Sequence, residues 1–251
     1  TLYYSPKQKD INVNIIAHRE GGEGYFLMLA APGVDAAKGK VTEKDIAFVI
    51  DTSGSMAGNK LEQAKKAFQF CVANLNDGDR FEVVRFSTET ESLFGGLKKA
   101  SSGNRKQALD FIRDLKPIGG TAINAALTEA LDLKPEKSER PFLVIFLTDG
   151  RPTIGITGEG QIVKNVGNAA GKTRVFCFGI GTDVNAHLLD KITEETRASS
   201  TYVTPNEDIE VKVSSFYTKI KEPVLANPKL KFPEGIRVSK LYPNPLPDLF
   251  K

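Results

Sequence analysis

Hydrophobic and polar positions follow two periods along this chain, and the pattern changes near residue 45. Over residues 11–17, Ile11, Val13, Ile15 and Ala17 fall on one face and Asn12 and Asn14 on the other, the two-residue period of a half-buried strand. Gly21-Gly22-Glu23-Gly24 supplies a turn, and 25–31 a second strand, so the start of the chain predicts a hairpin followed by a connector over 32–40. From Asp45 the apolar positions run together. Ile46-Ala47-Phe48-Val49-Ile50 reads as a strand buried on both faces, as do 142–147 and 173–180.

Between these runs the period becomes helical. Residues 60–75 place Leu61, Ala64, Phe68, Cys71 and Leu75 on one side. Residues 105–115, with Ala108, Phe111, Ile112 and Leu115, and 121–133, entered through Gly119-Gly120, predict two more helices. Further helices are expected over 161–170, 186–197 and 207–221, with a strand at 81–86, an edge strand at 92–97 and a short strand at 201–203. Strands alternating with helices imply an α/β fold, a doubly wound and mostly parallel sheet with helices on both faces. In the tail, 230–232 and 236–241 read as two short strands before a proline-rich segment. The organisation expected is an N-terminal β flank (1–43), the α/β domain (44–222) and a C-terminal β flank (223–251), the two flanks together forming a small β-subdomain.

Composition narrows the classes without naming a function. At 251 residues with 40 % hydrophobic and 26 % charged residues, the chain is long enough for a core that needs no disulfide or metal staple. Lys and Arg number 34 against 31 Asp and Glu, a balance that gives no footprint for nucleic acid. No apolar run approaches the roughly 20 residues of a membrane-spanning helix. Cys71 and Cys177 both lie in apolar surroundings and read as reduced core thiols. His18 and His187 stand beside no identifiable nucleophile. Residues 167–173 imitate a phosphate-binding loop, but the glycine spacing is one residue short and the segment runs from helix to strand, the reverse of the required order.

Candidate chemistry gathers at the strand ends. In an open parallel sheet, ligands bind outside the carboxyl ends of the strands. The first buried strand runs into Asp51-Thr52-Ser53-Gly54-Ser55-Met56 and the second into Thr148-Asp149-Gly150, while Gly119-Gly120-Thr121 opens a helix between them. Asp51-x-Ser53-x-Ser55 alone reads equally well as a turn or helix cap. Together, Asp51, Ser53, Ser55, Thr121 and Asp149 form an all-oxygen set of two carboxylates and three hydroxyls at one rim. Hard oxygen donors suit Mg²⁺, or Mn²⁺ or Ca²⁺, rather than Zn²⁺. A site neutral overall, with the carboxylates standing behind the hydroxyls, leaves the ion electrophilic toward an external carboxylate.

Asp51-Thr52-Ser53-Gly54-Ser55, Thr121 and Thr148-Asp149-Gly150 resemble the metal-ion-dependent adhesion site of von Willebrand factor type A domains, all five liganding positions matching. The resemblance covers about 44–222. The flanks, 11–31 and 242–250, resemble inter-alpha-trypsin inhibitor heavy chains and their bacterial relatives, in which the A domain follows a VIT domain. The chain begins at Thr1 without Met, and it is expected to be a fragment lacking that VIT domain. The resemblance implies a non-enzymatic adhesion or interaction module, extracellular, at the cell surface or periplasmic. Such a module is expected to bind a protein or acidic polysaccharide that supplies a carboxylate to the metal, with no nucleic acid and no membrane insertion. The alternative is a metal-dependent hydrolase in which the same ion activates water. Specificity is expected in the rim loops 56–59, 116–118, 151–160 and 182–185.

Overall fold

The computed structural model describes residues 11–32, 42–221, 223–225, 229–232, 234–242, 246 and 249–250. In chain order the elements are β1 (Ile11–Glu20), β2 (Glu23–Pro32), β3 (Asp45–Asp51), α1 (Asn59–Ala73), β4 (Arg80–Phe86), β5 (Thr90–Ser92), β6 (Lys98–Lys99), α2 (Ser102–Asp114), α3 (Ile123–Asp132), β7 (Phe142–Thr148), α4 (Glu159–Ala170), β8 (Arg174–Ile180), α5 (Ala186–Glu195), β9 (Ser200–Val203), α6 (Ile209–Ile220), β10 (Pro223–Leu225) and β11 (Leu249–Phe250). The chain divides into two compact units, residues 43–218 and residues 1–42 with 219–251.

The larger unit is the α/β fold expected. Its sheet runs β5-β4-β3-β7-β8-β9, with β6 also pairing with β4. β4, β3, β7, β8 and β9 are parallel, and only the short edge pieces β5 and β6 run antiparallel. Every residue of β3, β7 and β8 is buried, as the uninterrupted apolar runs require of strands covered on both sides. Side chains alternate between the two faces. Ala47 and Val49 of β3 join Phe86, Val144 and Phe146 in a core closed by Ile123, Leu127, Ile162, Leu188 and Ile192 of α3, α4 and α5. Phe48 points the other way and meets Phe68 of α1, ring centroids 5.4 Å apart, and Tyr217 of α6 at 6.4 Å. Cys71 and Cys177 are free and fully buried.

Several boundaries differ from the sequence pattern for identifiable reasons. α2 starts at Ser102 because Ser101 caps it, its hydroxyl accepting from the Asn104 amide. α3 begins only at Ile123, because Ala122 before it takes a non-helical φ −93°, ψ 63° while the Thr121 and Ala122 amides are held by Thr153 and the Ser87 carbonyl. The edge strand expected over 92–97 is split into β5 and β6. Between them the chain folds around the buried carboxylate of Glu82, which accepts from the amides of Phe94 and Gly96.

In the smaller unit β1 and β2 pair antiparallel in the register Ile15↔Met28, around a Gly21-Gly22 turn in which Gly21 has φ +71°. β10 pairs antiparallel with β11. The strands expected at 230–232 and 236–241 are absent among the described residues. Gly235 takes φ +90° between them, and Phe232 makes an edge-on ring contact with Phe26 of β2 instead. Of the connector expected over 32–40, Pro32 instead ends β2, while 33–40 and the tail prolines at 243, 245 and 247 lie outside the described residues. Among the described residues no helix is long and apolar enough to cross a membrane.

Candidate metal-binding rim

The five oxygen-bearing residues singled out in the sequence meet at the carboxyl end of the sheet. β3 ends at Asp51, and the chain leaves the strand through Thr52, whose amide and hydroxyl both donate to the Phe86 carbonyl at the end of β4 (2.7 and 3.0 Å). The turn that follows brings the Ser53 amide back onto Asp51 Oδ1 at 2.7 Å. Ser53 Oγ and Ser55 Oγ lie 3.1 Å apart, and the Ser55 hydroxyl donates to Asp149 Oδ1 at 2.7 Å. Asp51 and Asp149 are thus linked through the two serines, although 98 positions separate them in the sequence. Asp51, Ser53, Thr121 and Asp149 are buried, while Ser55 opens to solvent.

Thr121 reaches the same place by another loop. A Cβ built on Gly150 would stand 3.4 Å from Thr121 Oγ1 and 3.8 Å from Ser55 Oγ, so both hydroxyls border the glycine after Asp149. The Thr121 loop is held from two sides. The Gly54 amide donates to the Gly119 carbonyl (3.0 Å) and the Ile118 amide to the Thr52 carbonyl (2.7 Å). On the other side the Thr121 amide donates to Thr153 Oγ1 (2.8 Å), and the Thr121 carbonyl accepts from the Thr153 amide (2.9 Å). Gly120 leaves no room for a side chain, because a Cβ would fall 2.7 Å from Ile154 Cγ1 and Ile154 would have to shift.

The carboxylates have different surroundings. Burial pushes the Asp51 carboxyl up to about 6, against hydrogen bonds from Ser53 and Thr148 that pull it down, and the nearby Asp149 adds a smaller upward push. Asp149 has a cation beside it: the Lys60 ammonium donates to Oδ2 at 2.6 Å. Neither Lys60 nor Thr148 stood among the expected site residues. Thr148 precedes Asp149 in the same strand end, and Lys60 lies on the first turn of the helix that follows the serine loop.

Two of the rim loops also have inward roles. Met56 is fully buried and belongs to the core, because the Gly54–Met56 turn folds its side chain inward. The 151–160 loop is not separable from the site, since Thr153 carries Thr121. Ile118 and Ile156 are exposed on these loops, at 65 % and 42 %.

Residues 44–200 match the sequence profile of the von Willebrand factor type A domain. The chain belongs to that family. It is 33 % identical over 199 residues to inter-alpha-trypsin inhibitor heavy chain H1 of Homo sapiens, a match covering 76 % of this chain and 22 % of that protein. Heavy chain H4 of Homo sapiens is 32 % identical over 221 residues, covering 84 % and 23 %. The chain therefore spans less than a quarter of the length of these relatives. Among solved structures, a von Willebrand factor type A protein from Catenulispora acidiphila superposes with a TM-score of 0.69 at 21 % identity, over 85 % of this chain and 50 % of that one. The pilus adhesin SpaC from Lactobacillus rhamnosus GG gives 0.60 at 16 % identity, over 86 % and 35 %. At such identities the likeness is one of fold.

The donor set of the type A rim fits a hard divalent cation. Asp51, Ser53, Ser55, Thr121 and Asp149 offer only hydroxyl and carboxylate oxygens, the donors hard cations prefer, although the Lys60 ammonium stands beside Asp149. Among the described residues no group of three or more His, Cys, Asp and Glu gathers that could hold a metal, so the fit rests on the hydroxyls.

Proposed function

We propose that this chain is a non-enzymatic interaction module that captures an acidic group of a protein or polysaccharide through a divalent cation, Mg²⁺ or its hard relatives Mn²⁺ and Ca²⁺. Ser53, Ser55 and Thr121 would hold the ion through hydroxyl oxygens, with Asp51 and Asp149 orienting them and supplying charge. The bound ion contributes Lewis acidity toward an external carboxylate. The observation that carries this reading is the continuous array Asp51–Ser53–Ser55–Asp149, set on a rigid strand end with Thr121 beside it.

The same array argues against hydrolysis. A metal-assisted hydrolase needs a base free to take a proton from water. All four carboxylate oxygens of the rim already accept hydrogen bonds, from the Ser53 amide, Thr148, Ser55 and Lys60. Membership of the type A family and fold likeness to a pilus adhesin favour an adhesive role, and with it an extracellular, cell-surface or periplasmic setting.

Calorimetric titration with Mg²⁺ and Mn²⁺ tests the reading. The parent chain should bind one ion, and Ser53→Ala with Ser55→Ala should abolish binding while unfolding stays cooperative, because each change removes a single hydroxyl oxygen and no apolar core atoms. Unchanged metal binding in the double variant would remove the basis of the proposal.

A further inference from the structure

Lys60 is placed against the preference of its own helix. It is the second residue of α1, where the exposed amides and the helix dipole favour anions and disfavour a cation. Its ammonium does not turn to solvent. It reaches to Asp149 Oδ2 at 2.6 Å and to the Ser55 carbonyl at 3.4 Å, and a Cβ on Gly181, at the end of β8, would lie 3.6 Å from it. The Asp149 side chain is fully buried, whereas that of Lys60 is 41 % exposed. One carboxylate oxygen of Asp149 thus serves Ser55 and the other serves Lys60.

We propose that Lys60 is a tethered cation that competes electrostatically with the divalent ion and makes the loaded rim demand an anion. The inference rests on the metal-site reading above. With a divalent ion and two carboxylates the rim is neutral. Lys60 brings it to a net positive charge. Like charges a few ångströms apart repel, so the metal alone is held more weakly than the same oxygens would hold it without Lys60. An incoming carboxylate removes that excess charge. Metal and acidic ligand therefore strengthen one another's binding, and the coupling is reciprocal. In the metal-free protein Lys60 has a second effect: it pairs the buried Asp149 carboxylate, which would otherwise be uncompensated.

The test is Mn²⁺ titration of the full chain and of Lys60→Met, Lys60→Gln and Lys60→Arg, with thermal melting of each in the absence and presence of Mn²⁺. Both neutral variants should bind Mn²⁺ about ten-fold more tightly than the parent, an order-of-magnitude figure for removing one nearby like charge beside solvent. Lys60→Arg should stay within about three-fold of the parent, because its charge is retained. The neutral variants should melt lower without metal and gain more from Mn²⁺. Lys60→Gln keeps a donor toward Asp149, so the set remains informative if Lys60→Met folds poorly. Unchanged or weaker Mn²⁺ binding in the neutral variants overturns the inference, as does an arginine variant that behaves like them. If no variant binds Mn²⁺ and the parent does not either, the metal-site reading itself falls. If the neutral variants bind and the parent does not, the competition is confirmed in its strongest form.

Discussion

Thr148 donates its hydroxyl to Asp51 Oδ2 at 2.5 Å, joining the ends of the neighbouring parallel strands β7 and β3 inside the buried rim. The bond fixes the face that Asp51 presents and lowers a carboxyl that burial has pushed up to about 6.

A pH dependence follows from this pair. Asp51 binds its proton more tightly folded than unfolded. Its contribution to metal-free stability is therefore full below the ordinary aspartate value of about 4 and is lost as pH rises through about 6. A divalent ion must displace that proton. Mn²⁺ affinity should be flat above about pH 7 and fall by up to about ten-fold per pH unit below 6, the slope of a single displaced proton. Thr148→Val removes a bond that lowers the carboxyl and should move the break to higher pH. Calorimetric titrations between pH 5 and 8 check both statements, and a flat profile across that range contradicts them.

Thr153 touches none of the two serines and two carboxylates of the array, yet it should matter to the site. Thr153→Ala leaves the Thr121 amide without its hydroxyl partner, a loss of about 1 kcal/mol. Mn²⁺ affinity should drop several-fold, well short of the loss from removing both serines. Gly120→Ala forces Ile154 aside and should lower stability by about 1–3 kcal/mol. Urea unfolding alongside metal titration separates the two effects.

At the opposite end of the sheet, Lys44 and Asp79 form an ion pair with both side chains fully buried, Nζ to Oδ2 at 2.6 Å. Asp79 also accepts from the Lys44 and Asn76 amides. Lys44→Met leaves a buried carboxylate without its ammonium and should destabilise the fold by about 3–5 kcal/mol. Metal affinity of the protein that remains folded should be unchanged. A urea midpoint close to that of the parent would contradict the assignment.

Both cysteines should be silent toward thiol reagents. Burial pushes the Cys71 and Cys177 thiols well above their usual range, and both are fully enclosed. A thiol-reactive chromophore should label neither in the native protein and both in urea. Rapid native labelling of Cys71 would show that α1 opens readily.

The sequence revealed the rim because its donors sit where buried strands stop. Ile46-Ala47-Phe48-Val49-Ile50 and the run ending at Leu147 are too continuous to be anything but interior strands, and Asp51 and Asp149 follow almost at once. Lys60 was not legible. Its bond to Asp149 spans 89 positions, and a lysine near a helix start carries no local signal of where its ammonium goes. The Glu82 clasp was hidden in the same way, since nothing in residues 92–97 announces a carboxylate from the neighbouring strand. In the tail, apolar residues at 230–232 and 236–241 suggested strands, but strand formation depends on a partner edge, which a single segment cannot encode.

The backbone stitches from Gly54 to Gly119 and from Ile118 to Thr52 use no side-chain atoms. These stitches are therefore indifferent to the side chain at the exposed Ile118, provided its amide is kept. Under the function proposed above, descendants of this chain could change the texture a partner would meet at that loop, while the frame beneath keeps its dimensions. At this one loop, the ion affinity and the partner preference proposed above would be free to evolve on separate schedules.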